Sequence, residues 1–165
     1  MTNEMELRKA FIGAMRSVAN SVTIVSTNGP AGKFGATVSS FCSVSADPPT
    51  VLACLNIEGH TAHAIRENKT FCVNVLSEDL VDLAEHFAGM RGGTEFGRFT
   101  DEKWSEDPKT PPSLTGVTSF SCDVVQTIDA GSHLIFIGTV GNVQISDQKP
   151  LLYLNQKFCR TDTAE

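Results

Sequence analysis

Residues 35–49, GATVSSFCSVSADPP, alternate between apolar and hydroxyl-bearing side chains and then meet two consecutive prolines. A two-residue period places apolar groups on one face of a β-strand and polar groups on the other. The pattern therefore predicts one strand with an unusually dense face of hydroxyls. Its interruption at Ser40 and Phe41 predicts a bulge or a place where backbone meets a ligand. Pro48 and Pro49 cannot donate ladder hydrogen bonds, so the strand must end there.

Similar patterns along the chain favour a mainly β domain with a few helices. Apolar residues at helical spacing predict a surface helix lying on the core over 2–19 and shorter helices within 58–69 and 78–89. Further strands are predicted over 21–27, 50–57, 71–76, 118–131, 132–145 and 150–155. Because most of these strands follow one another directly, we expect antiparallel pairing, with closure into a barrel as one way to hide the sheet edges.

Two connecting segments stand out between the predicted elements. NGPAG at 28–32 is typical of a tight hairpin, in which Asn28, Gly29 and Gly32 supply positive φ angles. Residues 90–112 carry little periodicity and much Gly, Pro and charge, which predicts a long functional or mobile loop.

Length and charge restrict the classes of protein that fit this sequence. The 165 residues predict a single domain over 1–165. A formal charge of −6 argues against nucleic acid and anionic membranes as partners, since clustered Lys and Arg drive binding to both. No stretch has the length and apolar character of a membrane span, and the start has no signal-peptide pattern, so a cytoplasmic location is expected. The five widely spaced cysteines, most of them within apolar runs, are interpreted as reduced thiols of the core.

Standard catalytic motifs do not explain the sequence. It contains neither a dinucleotide-binding G-x-G-x-x-G between strand and helix nor a P-loop. His60 and His63 lie one helical turn apart, but their spacing matches no structural zinc pattern, and no metal site is predicted. The same turn has two open interpretations, a solvated helix start or a set of backbone N–H groups for an anion. Ser121 and Cys122 lack the motifs that surround hydrolase nucleophiles.

Two features retain both a structural and a functional interpretation. The hydroxyl-rich segment either covers a solvent-facing sheet or hydrogen-bonds the polar edge and phosphate of a planar ligand. His133, at the start of a predicted strand and after small residues, lies either at the rim of the sheet or beside a ligand.

Several segments in the same order resemble the short-chain flavin reductases, which are the reductase components of two-component flavin monooxygenases. The resemblance extends from about Phe11 to Phe158. The segments that carry it are GATVSSFCSVSADPPTVLACLN, FCVNVL, the helix ending in EHFAG, Arg98-Phe99, GSHLIFIGTV and PLLYLNQKF. At the tail, Gln156 and Phe158 stand where the family has the glycine and tyrosine of G-x-Y.

The resemblance implies an FMN-binding split β-barrel, antiparallel and Greek-key-like, with a few peripheral helices and a homodimeric assembly. It implies that His133 is the catalytic residue, which positions the nicotinamide and has proton supply as a second role. It also implies a set of residues that contact FMN or FAD: Thr37, Val38, Ser39, Ser40, Phe41, Ser43, Cys54, Leu55, Asn56, Ala62, Phe87, Arg98, Phe99 and Phe158.

The function implied is hydride transfer from NADH or NADPH to FMN or FAD, with the reduced flavin passed to a separate oxygenase component, for which aromatic hydroxylation is expected. Two alternatives stay open at this point. One is a flavoprotein that holds its flavin tightly and reduces a bound acceptor, such as a cob(II)alamin-type corrinoid or a ferric chelate. The other is a flavin-binding module without turnover.

Overall fold

The fold, described by a computed structural model, is mainly β, as predicted. The structure describes residues 2–92, 99–100, 103–105 and 107–162. Its helices are α1 (Thr2–Met15), α2 (His60–Asn68) and α3 (Val81–Phe87). Its strands are β1 (Asn20–Ser21), β2 (Thr23–Thr27), β3 (Phe34–Val38), β4 (Phe41–Ala46), β5 (Pro49–Asn56), β6 (Thr70–Val75), β7 (Thr118–Ala130), β8 (His133–Gln144), β9 (Leu152–Leu154) and β10 (Lys157–Cys159). None of the helices formed by the described residues combines the length and apolar character that crossing a bilayer requires.

Seven strands form one antiparallel sheet in the order β3-β2-β6-β7-β8-β5-β4. Its two edge strands, β3 and β4, are consecutive in the chain and are joined only by Ser39 and Ser40. The sheet must therefore curl until its two edges approach each other, since two residues span only a short distance. The Cys54 N–H of β5 donates to the Ser40 carbonyl at 3.0 Å, which extends the β4–β5 pairing up to this connection. This is the arrangement expected of a split barrel.

The prediction of one continuous hydroxyl-rich strand is wrong. The chain leaves β3 after Val38 and begins β4 at Phe41, so the interruption in the pattern marks a change of strand rather than a bulge within one. A register shift does occur later, between Ser43 and Ser45 of β4. The predicted end at the prolines is confirmed, because β4 ends at Ala46 and a tight turn leads into β5.

Helix α1 forms as predicted but does not lie on the core. Its apolar side chains are exposed, with Leu7 at 70% and Phe11 at 62% of their full accessible surface. The helical spacing of these residues is therefore correct as a sign of a helix but wrong as a sign of its packing within this chain.

The predicted hairpin joins β2 to β3 through a longer connection than a tight reversal. Of its glycines, Gly32 has a positive φ of 97°, whereas Gly29 is needed for a close approach. A Cβ at Gly29 would come within 2.8 Å of the Asn68 side chain at the end of α2. The same side chain accepts a hydrogen bond from Ala31 N–H at 2.8 Å and donates to the Gly32 carbonyl at 3.0 Å. Asn68 therefore fastens this connection to α2.

Two hydrophobic clusters hold the fold together. The first lies inside the curled sheet and under α2, around Phe71 and Phe136. The second lies between β2, α3 and the segment before β7, and it contains Phe87, Trp104 and Leu114. A small sheet in the order β1-β9-β10 closes the second cluster, with Tyr153 packed edge-on against Phe158.

Candidate functional site

A pocket of about 310 Å³ opens where the two edges of the large sheet meet the start of α2. Strand β3 and the bend after it form one wall, and the end of β5 with the first residue of β8 forms the other. The pairing of Asn56 with His133 places these two strand ends side by side. The lining residues are Ala36, Thr37, Val38, Ser39, Ser40, Cys54, Leu55, Asn56, Gly59, His60, Thr61, Ala62 and His133.

The hydroxyl groups of the first wall differ in what they bind. The Thr37 hydroxyl donates to the Ala84 carbonyl of α3 at 2.8 Å, and the Ser40 hydroxyl donates to the Cys54 carbonyl at 2.8 Å. Ser39 is exposed and has no hydrogen-bond partner among the described residues. Thr37 and Ser40 therefore fix the two sides of the bend, and Ser39 has its donor available to a ligand.

Helix α2 directs its N-terminus at the pocket. The Asn56 carboxamide oxygen accepts the Glu58 N–H at 3.0 Å, which turns the chain sharply from β5 into the helix. Gly59 is the N-cap and carries no side chain to satisfy the first helical N–H groups. Because the helix dipole adds partial positive charge at this end, the first turn of α2 suits an anionic group such as a phosphate.

His133 stands at the rim as the first residue of β8. Its Nδ1 lies 2.9 Å from the hydroxyl oxygen of Ser132, which restrains the orientation of the exposed ring. With Nδ1 engaged in this way, Nε2 is the ring nitrogen that can face a ligand.

The residues in the described part of the chain that line the pocket carry hydroxyls, an amide and imidazoles but no carboxylate, which again favours an anionic ligand. Burial raises the pKa of the Cys54 thiol, and the nearby Cys42 adds to the shift, while a hydrogen bond with Ser40 opposes it. Cys54 is therefore a neutral thiol at pH 7 and a poor nucleophile. Among the described residues, no three His, Cys, Asp or Glu side chains are grouped so that they could hold a metal ion.

A second cavity of about 150 Å³ adjoins the pocket across Thr37, Val38 and Ser39, which line both. Its other lining residues are mostly apolar: Val22, Ala88, Met90, Tyr153 and Phe158. A polar pocket beside an apolar one suits a flat ligand with one polar and one apolar end.

Most of the residues proposed from the resemblance line these two cavities. The pocket brings together Thr37, Val38, Ser39, Ser40, Cys54, Leu55, Asn56, Ala62 and His133, and the adjoining cavity includes Phe158.

Four of the proposed residues lie elsewhere, and Arg98 falls outside the described residues. Phe41 packs against Phe120 with ring centres 5.6 Å apart, and Ser43 lies on the exposed face of β4. Phe87 is only 1% exposed, and its ring packs edge-on against Phe99. Both rings lie directly under Gly35, where a Cβ would come within 2.8 Å of the first and 3.0 Å of the second.

Thr61, next to Ala62, lines the pocket as the resemblance implies for the neighbours of Ala62, whereas Ala36, Gly59 and His60 line it without having been named as flavin contacts. The first turn of α2 was considered as a place for an anion, because the helix start itself was recognisable in the sequence. Ser132, which contacts His133, was also missed. Its only signal was a hydroxyl residue next to the histidine.

Sequence comparisons place this geometry among known proteins. The sequence profile described as "Flavin reductase like domain" matches residues 15–162. The chain is 35% identical over 153 residues to FMN reductase (NADH) RutF of Ancylobacter novellus, covering 92% of this chain and 83% of the relative. It is 34% identical over 155 residues to the 4-hydroxyphenylacetate 3-monooxygenase reductase component of Salmonella typhimurium, covering 93% and 91%.

Solved structures of similar proteins have the same fold. The flavin reductase PheA2 in its native state matches with a TM-score of 0.84 and 30% identity, covering 94% of this chain and 98% of that one. BorF, the flavin reductase component of a bacterial two-component tryptophan halogenase, matches with a TM-score of 0.85 and 28% identity, covering 95% and 99%.

Proposed function

We propose that this chain, which belongs to the family of flavin reductase-like domains, transfers hydride from NADH to FMN or FAD and passes the reduced flavin to a separate oxygenase component. The observation that carries the proposal is the pocket itself, in which hydroxyls, strand-end backbone and a helix N-terminus converge and no lining residue that the structure describes has a carboxylate. The names of similar proteins, an NADH-dependent FMN reductase and the reductase component of a monooxygenase, support the same reaction.

The two adjoining cavities fit a flavin in shape and chemistry. The apolar cavity at Tyr153 and Phe158 suits the hydrocarbon end of the ring, and the polar pocket suits its hydrogen-bonding edge and the phosphate. When bound, the flavin ring supplies the redox chemistry, accepting a hydride from the nicotinamide. The protein contributes alignment and electrostatics.

Ser39, Ser40 and the backbone of Cys54, Leu55 and Asn56 would hold the polar edge of the ring, and the first turn of α2 would hold the phosphate. His133 would position the nicotinamide through Nε2, since its contact with Ser132 fixes the ring. Of the remaining residues named from the resemblance, two are proposed to act without touching the flavin. Phe87 and Phe99 would support β3 from behind, because they pack under Gly35.

We infer that the flavin is exchanged rather than permanently held. The pocket lies on the surface, and Ser39 and His133 at its rim are exposed. An open groove suits a reductase that delivers a diffusible product, and two relatives are named as components of two-component systems. The pyridine nucleotide donor, a cellular metabolite, supports a cytoplasmic location.

We further propose a homodimer. Apolar side chains are exposed on α1, on the large sheet at Val125 (60%), and just beyond the end of β8 at Ile145 (82%). Exposed apolar groups of this size are costly in water, and a second copy of the chain would cover them. Sedimentation velocity of the purified protein is expected to give twice the mass of the chain, and a single species of 17.7 kDa would contradict the dimer.

The reaction is tested with dialysed protein, NADH, and FMN or FAD. We expect a colourless preparation that oxidises NADH steadily only after flavin is added; no oxidation with either flavin would overturn the proposal. A yellow protein whose flavin survives dialysis would instead favour a tightly held flavin that serves a bound acceptor. His133→Ala should raise KM for NADH more than it raises the dissociation constant of the flavin.

A further inference from the structure

A second groove runs along the outer face of α2 and begins where the candidate flavin pocket ends. It has a volume of about 420 Å³ and is lined by Ala31, Phe34, His60, His63, Ala64, Arg66 and Glu67. His60 lines both the groove and the pocket. A ligand whose phosphate lies at the first turn of α2 would therefore meet this groove if it extended beyond that phosphate.

The groove is held open by the fold. Its far wall is the connection between β2 and β3, which Asn68 fastens to α2 through hydrogen bonds to Ala31 and Gly32. Asn68 is itself 9% exposed and also donates to the Thr27 hydroxyl at 3.1 Å. The distance between the two walls is thus set by a buried side chain and does not depend on a ligand.

The groups in the groove match an adenosine phosphate. The rings of Phe34 and His60 are nearly parallel, at 12°, with centres 6.2 Å apart, so they present aromatic faces on which a base could stack. The Arg66 guanidinium, 44% exposed, supplies a positive charge whose ion pair with Asp129 is long, at 3.7 Å. The Glu67 carboxylate offers an acceptor for the exocyclic amine of adenine.

We propose that this groove binds the adenylate half of FAD and makes the protein prefer FAD over FMN. The inference rests on the proposed function, which places the flavin phosphate at the first turn of α2. FAD differs from FMN by an adenylate joined to that phosphate, so its additional atoms begin where the groove begins. NADH also contains an adenylate, and the test must separate the two sources.

The test compares dissociation constants for FAD and FMN by isothermal titration calorimetry. Because stacking of a base on an aromatic side chain is worth a few kcal/mol at most, we expect wild-type protein to bind FAD roughly tenfold more tightly than FMN. Phe34→Leu keeps an apolar side chain but removes the aromatic face, and it should abolish most of this preference. Arg66→Gln should reduce the preference about threefold, since the cation is partly exposed.

Asp129→Asn is the matched control for Arg66→Gln. It breaks the same ion pair from the other side and leaves the cation in the groove, so the preference for FAD should stay as in wild type. Thermal unfolding of each variant checks that the fold is intact, and Arg66→Gln, at an exposed position, keeps the test valid if Phe34→Leu is unstable.

Equal affinity of the wild type for both flavins, or an unchanged preference in Phe34→Leu and Arg66→Gln, would overturn the groove's role and leave the flavin reductase function standing. A rise in KM for NADH with FMN as acceptor, without loss of FAD preference, would assign the groove to the pyridine nucleotide and also overturn the inference. Failure to bind either flavin would instead overturn the proposed function.

Discussion

Two neighbouring strands carry hydroxyl side chains for different purposes. On β2, Thr23 and Thr27 are buried and donate to the backbone carbonyls of Val38 and Thr70. At the end of β3, Ser39 is exposed at a pocket and has no hydrogen-bond partner among the described residues. The density of hydroxyls is similar in both segments of the sequence. What distinguishes Ser39 from the buried hydroxyls of β2 is its position in the two-residue connection after β3, outside either strand.

A buried amide in the interior shows the same contrast with the pocket. The Asn74 side chain is fully buried and donates to the Ile24 carbonyl and the Ser26 hydroxyl, while its oxygen accepts the Leu114 N–H at 2.7 Å. It thereby ties β2 to β6 and to the segment before β7. The side chain of Asn74 in the interior therefore has its hydrogen bonds made, whereas Ser39 at the pocket has a donor that is unused within the described part of the chain.

The largest effect should come from breaking the interior network. Asn74→Ala removes a hydrogen-bond partner from each of three buried groups, the Ile24 carbonyl, the Ser26 hydroxyl and the Leu114 N–H, so we expect a loss of about 3 kcal/mol in the free energy of unfolding. Urea denaturation measures it, with Asn142→Ala on the exposed part of β8 as the control. A loss no greater than the control's would show that the network is dispensable.

The free energy of unfolding at alkaline pH should depend on two buried thiols. Burial raises the pKa of Cys72 to about 11 and that of Cys122 to about 12. Because the folded pKa exceeds the unfolded value of about 8.5, their contribution to stability is complete below pH 8.5 and is lost as pH rises toward the folded values, by about 1.4 kcal/mol per unit for each thiol. The fall in unfolding free energy between pH 8 and 11 should be shallower in Cys72→Ala, and parallel curves would contradict this.

Paired serine variants separate the two kinds of hydroxyl directly. Ser26→Ala removes a buried donor to the Pro112 carbonyl, and we expect it to cost about 1.5 kcal/mol of stability with no change in flavin affinity. Ser39→Ala should do the reverse, weakening flavin binding about fivefold while the unfolding curve stays in place. If both variants changed only stability, or both changed only flavin affinity, the distinction between the hydroxyls of the two strands would be wrong.

The smallest effect concerns the turn between β9 and β10, next to the apolar cavity. Gln156 has a φ of 62°, a left-handed conformation that favours glycine. Gln156→Gly should therefore raise the free energy of unfolding by about 0.5 kcal/mol, measured by urea denaturation. A loss of stability would show that the glutamine side chain makes a compensating contact.

Periodicity in the sequence predicts the helices and strands better than it predicts what they pack against. The helices and main strands appear where apolar spacing indicated them, because spacing reports local geometry. The exposure of Phe11 on α1 could not be predicted, since an apolar helix face has the same pattern whether it covers its own core or another surface. The split between β3 and β4 was visible at Ser40 and Phe41, but local pattern alone does not show that the chain crosses to the opposite edge of the sheet.

The residues that contribute side chains to the site were predictable from the sequence. Those that contribute backbone groups were less so. Ser39, Ser40 and His133 were named from residue type and resemblance, and they line the pocket. Gly59 and Thr61 contribute through a helix start, which has no distinctive side-chain signature. Phe87 was placed at the flavin, but an aromatic residue on the apolar face of a short helix is also an ordinary core residue, and it is buried.

The bend at Ser39 and Ser40 has a consequence for how the protein matures. Since these two residues connect opposite margins of the sheet, the cavity beside them does not exist until the sheet has curled enough to bring β3 against the ends of β5 and β8. A partly folded chain contains the residues of the site, but they do not yet form the pocket. Binding of a ligand at this pocket therefore reports completed folding. The ligand in turn stabilises the curled sheet against unfolding.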